Sequence, residues 1–173
     1  MTIGPLAKSL APSLLLWAFL GLGCEGTTKV IAPAMPPPVS AELLRAAPDT
    51  LSLVGFGSVI SADLYRDFTP SSPPGNPLTA EITFSLISAS DFSSNVTSVY
   101  VWVLNGNEVW GAGLKMDDPS QHPHDEVVLI AGDGPPWAPG TQVDVVLGLV
   151  IEGRGLQFVK LPSATISTRM IRG

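Results

Sequence analysis

The stretch AEITFSL, residues 80–86, alternates without a break: Ala80, Ile82, Phe84 and Leu86 are apolar, and Glu81, Thr83 and Ser85 between them are polar. A strand turns successive side chains to opposite faces, so a period of two describes a ribbon buried on one side and wet on the other. The same reading extends outward. Residues 98–104, SVYVWVL, are apolar on both parities and predict a central strand. Asn105-Gly106 is a hairpin signal, and 108–114 is the return strand, with Gly111 and Gly113 inside it. Residues 127–131 predict a short buried strand. Residues 142–152 predict the longest, with Val143, Val145, Leu147, Leu149 and Ile151 on one face, and Gly153-Arg154-Gly155 turns it back into 156–160. Pro162 should interrupt that strand, and 164–171 should form a final edge strand. Upstream, 58–68 predicts the first long strand, with 51–54 before it.

Eight or nine short strands separated by Gly/Pro-rich loops make an all-β chain, and no helical pattern of ten or more residues interrupts them. Two of the loops, 69–78 and 132–140, are dense in turn formers. The spacing favours a two-sheet antiparallel β-sandwich over residues 51–173, with a small barrel as the alternative. Trp102 on the central strand resembles the core tryptophan of immunoglobulin-like sandwiches. That resemblance implies an immunoglobulin-like architecture, without the disulfide or tyrosine corner of antibody domains.

The first fifty residues read differently. Lys8 is followed by LAPSLLLWAFLGL, 10–22, a nearly uninterrupted apolar run. It has the length of a signal-peptide core and is too short to span a bilayer comfortably. The sequence Leu20-Gly21-Leu22-Gly23-Cys24 that ends it resembles the lipobox of bacterial lipoproteins, with Gly21 and Leu22 standing where that family usually carries Leu and a small residue. The resemblance implies a signal peptide over 1–23, acylation of Cys24, and a mature chain anchored to the membrane of the bacterial cell envelope. In that family an Asp after the cysteine retains some members at the inner membrane, so Glu25 in that place makes the outer membrane the preference the resemblance implies. Cys24 is the one cysteine of the chain. A lone thiol in an exported protein has no internal disulfide to enter, and a lipid accounts for it. Residues 24–50 then read as a tether: APAMPPPVS, 32–40, is proline-rich and extended, and 40–47 predicts two helical turns capped by Ser40 and ended by Pro48.

Of the nine basic residues only Lys8 lies in the leader, so eight basic and fifteen acidic side chains follow Cys24, a net of −7. An acidic surface without a basic stripe excludes nucleic acid as a partner.

Chemistry is sparse. Both histidines fall in MDDPSQHPHDE, 116–126, where His122 and His124 lie among Asp117, Asp118, Asp125 and Glu126. Imidazole and carboxylate ligate copper or zinc, and carboxylates alone suit calcium, so a divalent metal is the one candidate cofactor. The plain alternative is a polar, proline-containing connection between strands. Trp137, in GDGPPWAPG, and Trp110 are candidates to stack on a glycan or pack on a protein; otherwise both fold back onto the sandwich. There is no nucleophile elbow, P-loop, H-E-x-x-H or C-x-x-C. Asp63, Glu81, Asp144 and Glu152 fall at solvent-facing strand positions and do not suggest a catalytic carboxylate pair. The expectation is a non-catalytic, lipid-anchored interaction module for an unidentified protein or glycan, with metal binding through 116–126 as the alternative and a small hydrolase as a distant third.

Overall fold

The computed structural model describes residues 35–49, 58–69, 75–86 and 96–170. Cys24, the signal peptide expected at 1–23 and the strand expected at 51–54 lie outside them. The described chain runs α1 (Ala41–Arg45), β1 (Ser58–Asp67), β2 (Leu78–Leu86), β3 (Val96–Asn105), β4 (Glu108–Gly113), β5 (Lys115–Met116), a 3-10 turn (Pro119–Gln121), β6 (Glu126–Gly134), β7 (Gln142–Ile151), β8 (Gly155–Thr165) and β9 (Ser167–Arg169).

Two sheets form, ordered β5-β6-β2-β1-β9 and β4-β3-β7-β8. Every pairing is antiparallel except β1 with β9. Lettering the first eight strands A, B, C, C′, D, E, F and G turns these orders into D-E-B-A and C′-C-F-G, the immunoglobulin-like sandwich. The core lies between the sheets. Leu64, Ile82, Phe84, Val101, Leu129 and Leu147 are among its fully buried members, and no polar side chain is buried among the described residues. Each such Leu, Ile or Phe contributes roughly 1.5–3 kcal/mol by leaving water.

The alternation of 80–86 therefore does what the pattern requires: Ala80, Ile82 and Phe84 are buried at 0% exposure, while Glu81 and Thr83 are half-buried on the outer face. The outer side of β1 and β2 carries an ionic cluster. Asp63 stands directly opposite Glu81 in the register. Arg169, brought beside them by β9, donates to Asp63 Oδ2 and Glu81 Oε2, each at 3.0 Å, and lies 3.7 Å from the centre of the Tyr65 ring. Like charges facing across a ladder repel, and the guanidinium bridges them. Burial pushes the Tyr65 hydroxyl above its ordinary pKa, more than Arg169 lowers it.

The structure corrects four readings. The hairpin loop is Gly106-Asn107, since Asn105 pairs with Glu108. Of the loop's two residues only Gly106 has a positive φ (55°), the mark of a type II′ turn. Pro162 does not end its strand, because β8 runs through it to Thr165, and the proline sits where the β7–β8 register shifts, at a place that needs no ladder donor. The last edge strand splits: 164–165 stay in β8, whereas 167–169 cross to the other sheet and run parallel to β1.

The fourth correction concerns Trp102 and the tether. On β3, Val99, Val101 and Val103 face the opposing sheet, so Tyr100, Trp102 and Leu104 point outward. Trp102 is 3% exposed all the same. What covers it is the chain's own segment 35–49, expected to be a free spacer. Leu44 of α1 reaches 0% exposure in a second apolar cluster with Tyr100, Trp102, Leu104 and Val146. The folded unit thus includes residues on the N-terminal side of position 51.

Candidate functional site

Three connections share one end of the sandwich: β1–β2, β3–β4 and β6–β7. Arg66, near the end of β1, holds two of them together. Its Nε donates to Asn76 O at 2.6 Å, one terminal nitrogen to Gly75 O at 3.0 Å, and the other to Trp137 O at 3.3 Å. The first two acceptors lie in the β1–β2 loop and the third in the β6–β7 loop. Asn76 donates to Asp67 O at 2.8 Å and closes the first loop on itself. The guanidinium also lies 5.1 Å from the centre of the Phe68 ring.

The β3–β4 hairpin joins through one strong bond. Trp137 Nε1 donates to Glu108 Oε2 at 2.6 Å, a charge-assisted contact. Glu108, Val109, Pro135, Pro136 and Trp137 line a groove of about 550 Å³ open to solvent. Trp137 is half-buried, with part of the ring packed against the core. An indole face beside a carboxylate and two proline rings offers an apolar platform plus a hydrogen-bond acceptor. Phe68 and Val109 remain 39% exposed at this end.

The candidate residues separate accordingly. Trp137 lies in the groove. Trp110 belongs to the inner face of β4, packs against the core, and would sit 3.0 Å from a side chain at Gly134. It is a structural tryptophan here. Residues 69–78 and 132–140, the two loops dense in turn formers, are neighbours joined by Arg66 over the residues described in them. Nothing in the sequence marked Arg66 or Glu108, because a lone charge beside a loop carries no spacing signal.

The 117–125 connection lies at the other end, before β6. His122 Nε2 and Asp117 Oδ2 are 2.8 Å apart. Asp118 caps the 3-10 turn, accepting from Ser120 N at 3.0 Å, and the Ser120 hydrogen bonds hold its carboxyl below the ordinary value. His124 and Asp125 are exposed in the following turn. Asp117, Asp118, His122, His124 and Asp125 are thus distributed over a capped turn, and no group of three His, Cys, Asp or Glu converges among the described residues. No hydroxyl among them bonds the His122 ring, so the Asp117–His122 pair lacks the third member of a nucleophilic triad there. The four strand acids have structural roles or turn positions: Asp63 and Glu81 pair with Arg169, Asp144 accepts from Ser163 and faces Lys160, and Glu152 is in the β7–β8 turn.

No protein-family model and no curated protein matches this chain. Among the described residues no helix is long and apolar enough to cross a membrane.

Proposed function

We propose that this chain is an exported, lipid-anchored protein of the bacterial cell envelope, outer membrane by preference, whose sandwich acts without catalysis as an interaction module. The observation that supports a binding role is the Trp137–Glu108 groove. Its floor is fixed by Arg66 and by a 2.6 Å indole–carboxylate bond, so a ligand meets a platform already in place. A glycan uses such a surface by stacking an apolar sugar face on the indole while its hydroxyls donate to the carboxylate. A protein uses it by burying the same aromatic ring. The leader ending at Cys24 supports the anchor, and the acidic balance after it disfavours nucleic acid.

Tryptophan fluorescence of the intact chain, titrated with soluble cell-wall glycan fragments and with envelope protein fractions, tests the binding role. Saturable binding that Trp137→Ala weakens at least about 10-fold supports it. Binding that is indifferent to Trp137 and Glu108 refutes this site. The intact mass of the membrane-extracted chain tests the anchor separately: it must report cleavage before Cys24 and added acyl mass.

A further inference from the structure

The outer face of the β4-β3-β7-β8 sheet is shaped around one ring. A side chain at Gly148 would come within 2.5 Å of Trp102 Cζ3, and one at Gly111 within 2.8 Å of Trp102 Cδ1. Those two glycines, on the strands either side of β3, let the indole lie down against the sheet. Tyr100 and Phe158 flank it, with ring centres 5.8 Å and 5.5 Å away. The result is an aromatic floor beside a pocket that takes Leu44.

The occupant is modular. Pro36 lies above Gly111 next to Trp102, since its Cγ is 3.4 Å from where a Gly111 side chain would begin. Three prolines, 36–38, hold the backbone near φ of about −65°. Ser40 then caps α1 by accepting from Leu43 N at 3.2 Å, which aims Leu44 at the pocket. Arg45 donates to Gly106 O, and Lys160 N donates to Pro48 O at 2.8 Å, tying the end of the segment to the edge of β8. A helix of five residues does not persist alone in water, so this one depends on the face it covers. The outer-face cluster takes Leu44, Val39, Ala41 and Ala47 from this segment, whereas the inter-sheet core is a separate cluster that includes nothing from 35–49.

We propose that this sheet face is a peptide-recognition site, distinct from the Trp137 groove, and that residues 35–48 are its ligand bound in cis. Its chemical specificity is a proline run followed by a capped helical turn presenting one leucine. Rigid proline segments bind aromatic floors at low entropic cost, and an anchoring leucine in a fitted pocket adds the specificity. A free peptide of that class competes with the chain's own segment for the same surface. The intact chain hides the site, because apparent affinity falls with the fraction of molecules whose face is uncovered.

The test uses the full chain with Leu44→Asp, which cannot bury a charge where Leu44 sat, and a synthetic peptide of residues 35–49. The variant should keep its strand spectrum and bind the peptide saturably with a blue-shifted Trp102 emission that disappears in the Trp102→Phe background. The parent chain should bind at least about 10-fold more weakly. The peptide carrying Leu44→Asp should not bind. A folded Leu44→Asp chain that ignores the peptide overturns the proposal, as does equal binding by parent and variant. If Leu44→Asp does not fold, a protease site placed within 50–57 of the otherwise unaltered chain decides the matter. After cutting, the released segment should exchange with labelled peptide while the sandwich stays folded; unfolding or absence of exchange overturns the proposal.

Discussion

Gly148→Ala adds a single methyl group to the centre of a strand, where the backbone alone would welcome it. Alanine in place of a strand glycine with ordinary φ gains about 0.5–1 kcal/mol from the unfolded chain's lost freedom. The packing works against it. The new carbon would stand 2.5 Å from Trp102 Cζ3 and 3.0 Å from both Trp102 Cη2 and Leu156 Cδ1. Carbon atoms in good contact sit about 3.5–4.0 Å apart, so the overlap with the ring is about 1 Å. The indole cannot slide across the sheet, because Gly111 already borders its other edge, so it must tilt outward against the covering segment. Overpacking of this kind costs about 1–3 kcal/mol. The net expectation is a loss of about 1–2 kcal/mol, or roughly 3–6 °C in Tm for a domain of this size. Gly132→Ala is the matched control, since nothing lies within 4 Å of its added carbon and its φ is ordinary, and it should be neutral or slightly stabilising. Thermal and urea melts of both variants give the comparison, and Trp102→Leu added to Gly148→Ala should recover part of the loss through coupling. Gly148→Ala as stable as Gly132→Ala would refute the description of this face.

Other outcomes follow from single contacts. Arg169→Ala should cost about 1 kcal/mol in a urea melt, modest because the pairs are partly exposed, and Glu81→Gln in that background should regain some of it by removing the repulsion with Asp63. The raised Tyr65 pKa favours the neutral phenol in the fold, so its contribution is complete below the unfolded value near 10 and is lost as pH rises through the folded one. Alkaline denaturation should therefore be shallower in Tyr65→Phe, and identical profiles would count against the burial argument. Arg66→Ala should lower stability by about 1–2 kcal/mol, leaving three loop carbonyls to water, and should weaken any Trp137-dependent ligand more than it weakens the fold.

Strand positions were legible in the sequence wherever one face was polar. Residues 80–86 specify both the strand and its inward side, because a shift by one residue would bury Glu81 and expose Ile82. Residues 98–104 specify a strand but not its sides. With Tyr100, Trp102 and Leu104 as apolar as Val99, Val101 and Val103, periodicity leaves the direction of Trp102 open, and the comparison with antibody domains turned it the wrong way. The pattern still contained a clue in Gly111 and Gly148, two glycines interrupting otherwise good strands, and that signal acquires meaning only once register places both beside the same indole. Lys115–Met116 is too short for any period to reveal. At the candidate site Trp137 was visible as an aromatic in a proline-rich loop. Glu108 and Arg66 were not, because their roles depend on loops far apart in sequence meeting at one end of the sandwich.

A central strand apolar on both sides demands a second cover, and the location of that cover has a consequence for the proposed anchor. With 35–48 seated on the sheet, only residues 25–34, ten in number, separate Cys24 from the folded unit. Fully extended they reach about 35 Å. With the segment displaced by a competing peptide, residues 25–57, thirty-three in number, precede β1 and reach about 110 Å. The face that recognises a proline-rich peptide would then also set how far the Trp137 groove stands from the membrane. Given that anchor and that peptide site, occupancy of one surface and reach of the other would be coupled through the chain itself, with no change required in the sandwich core.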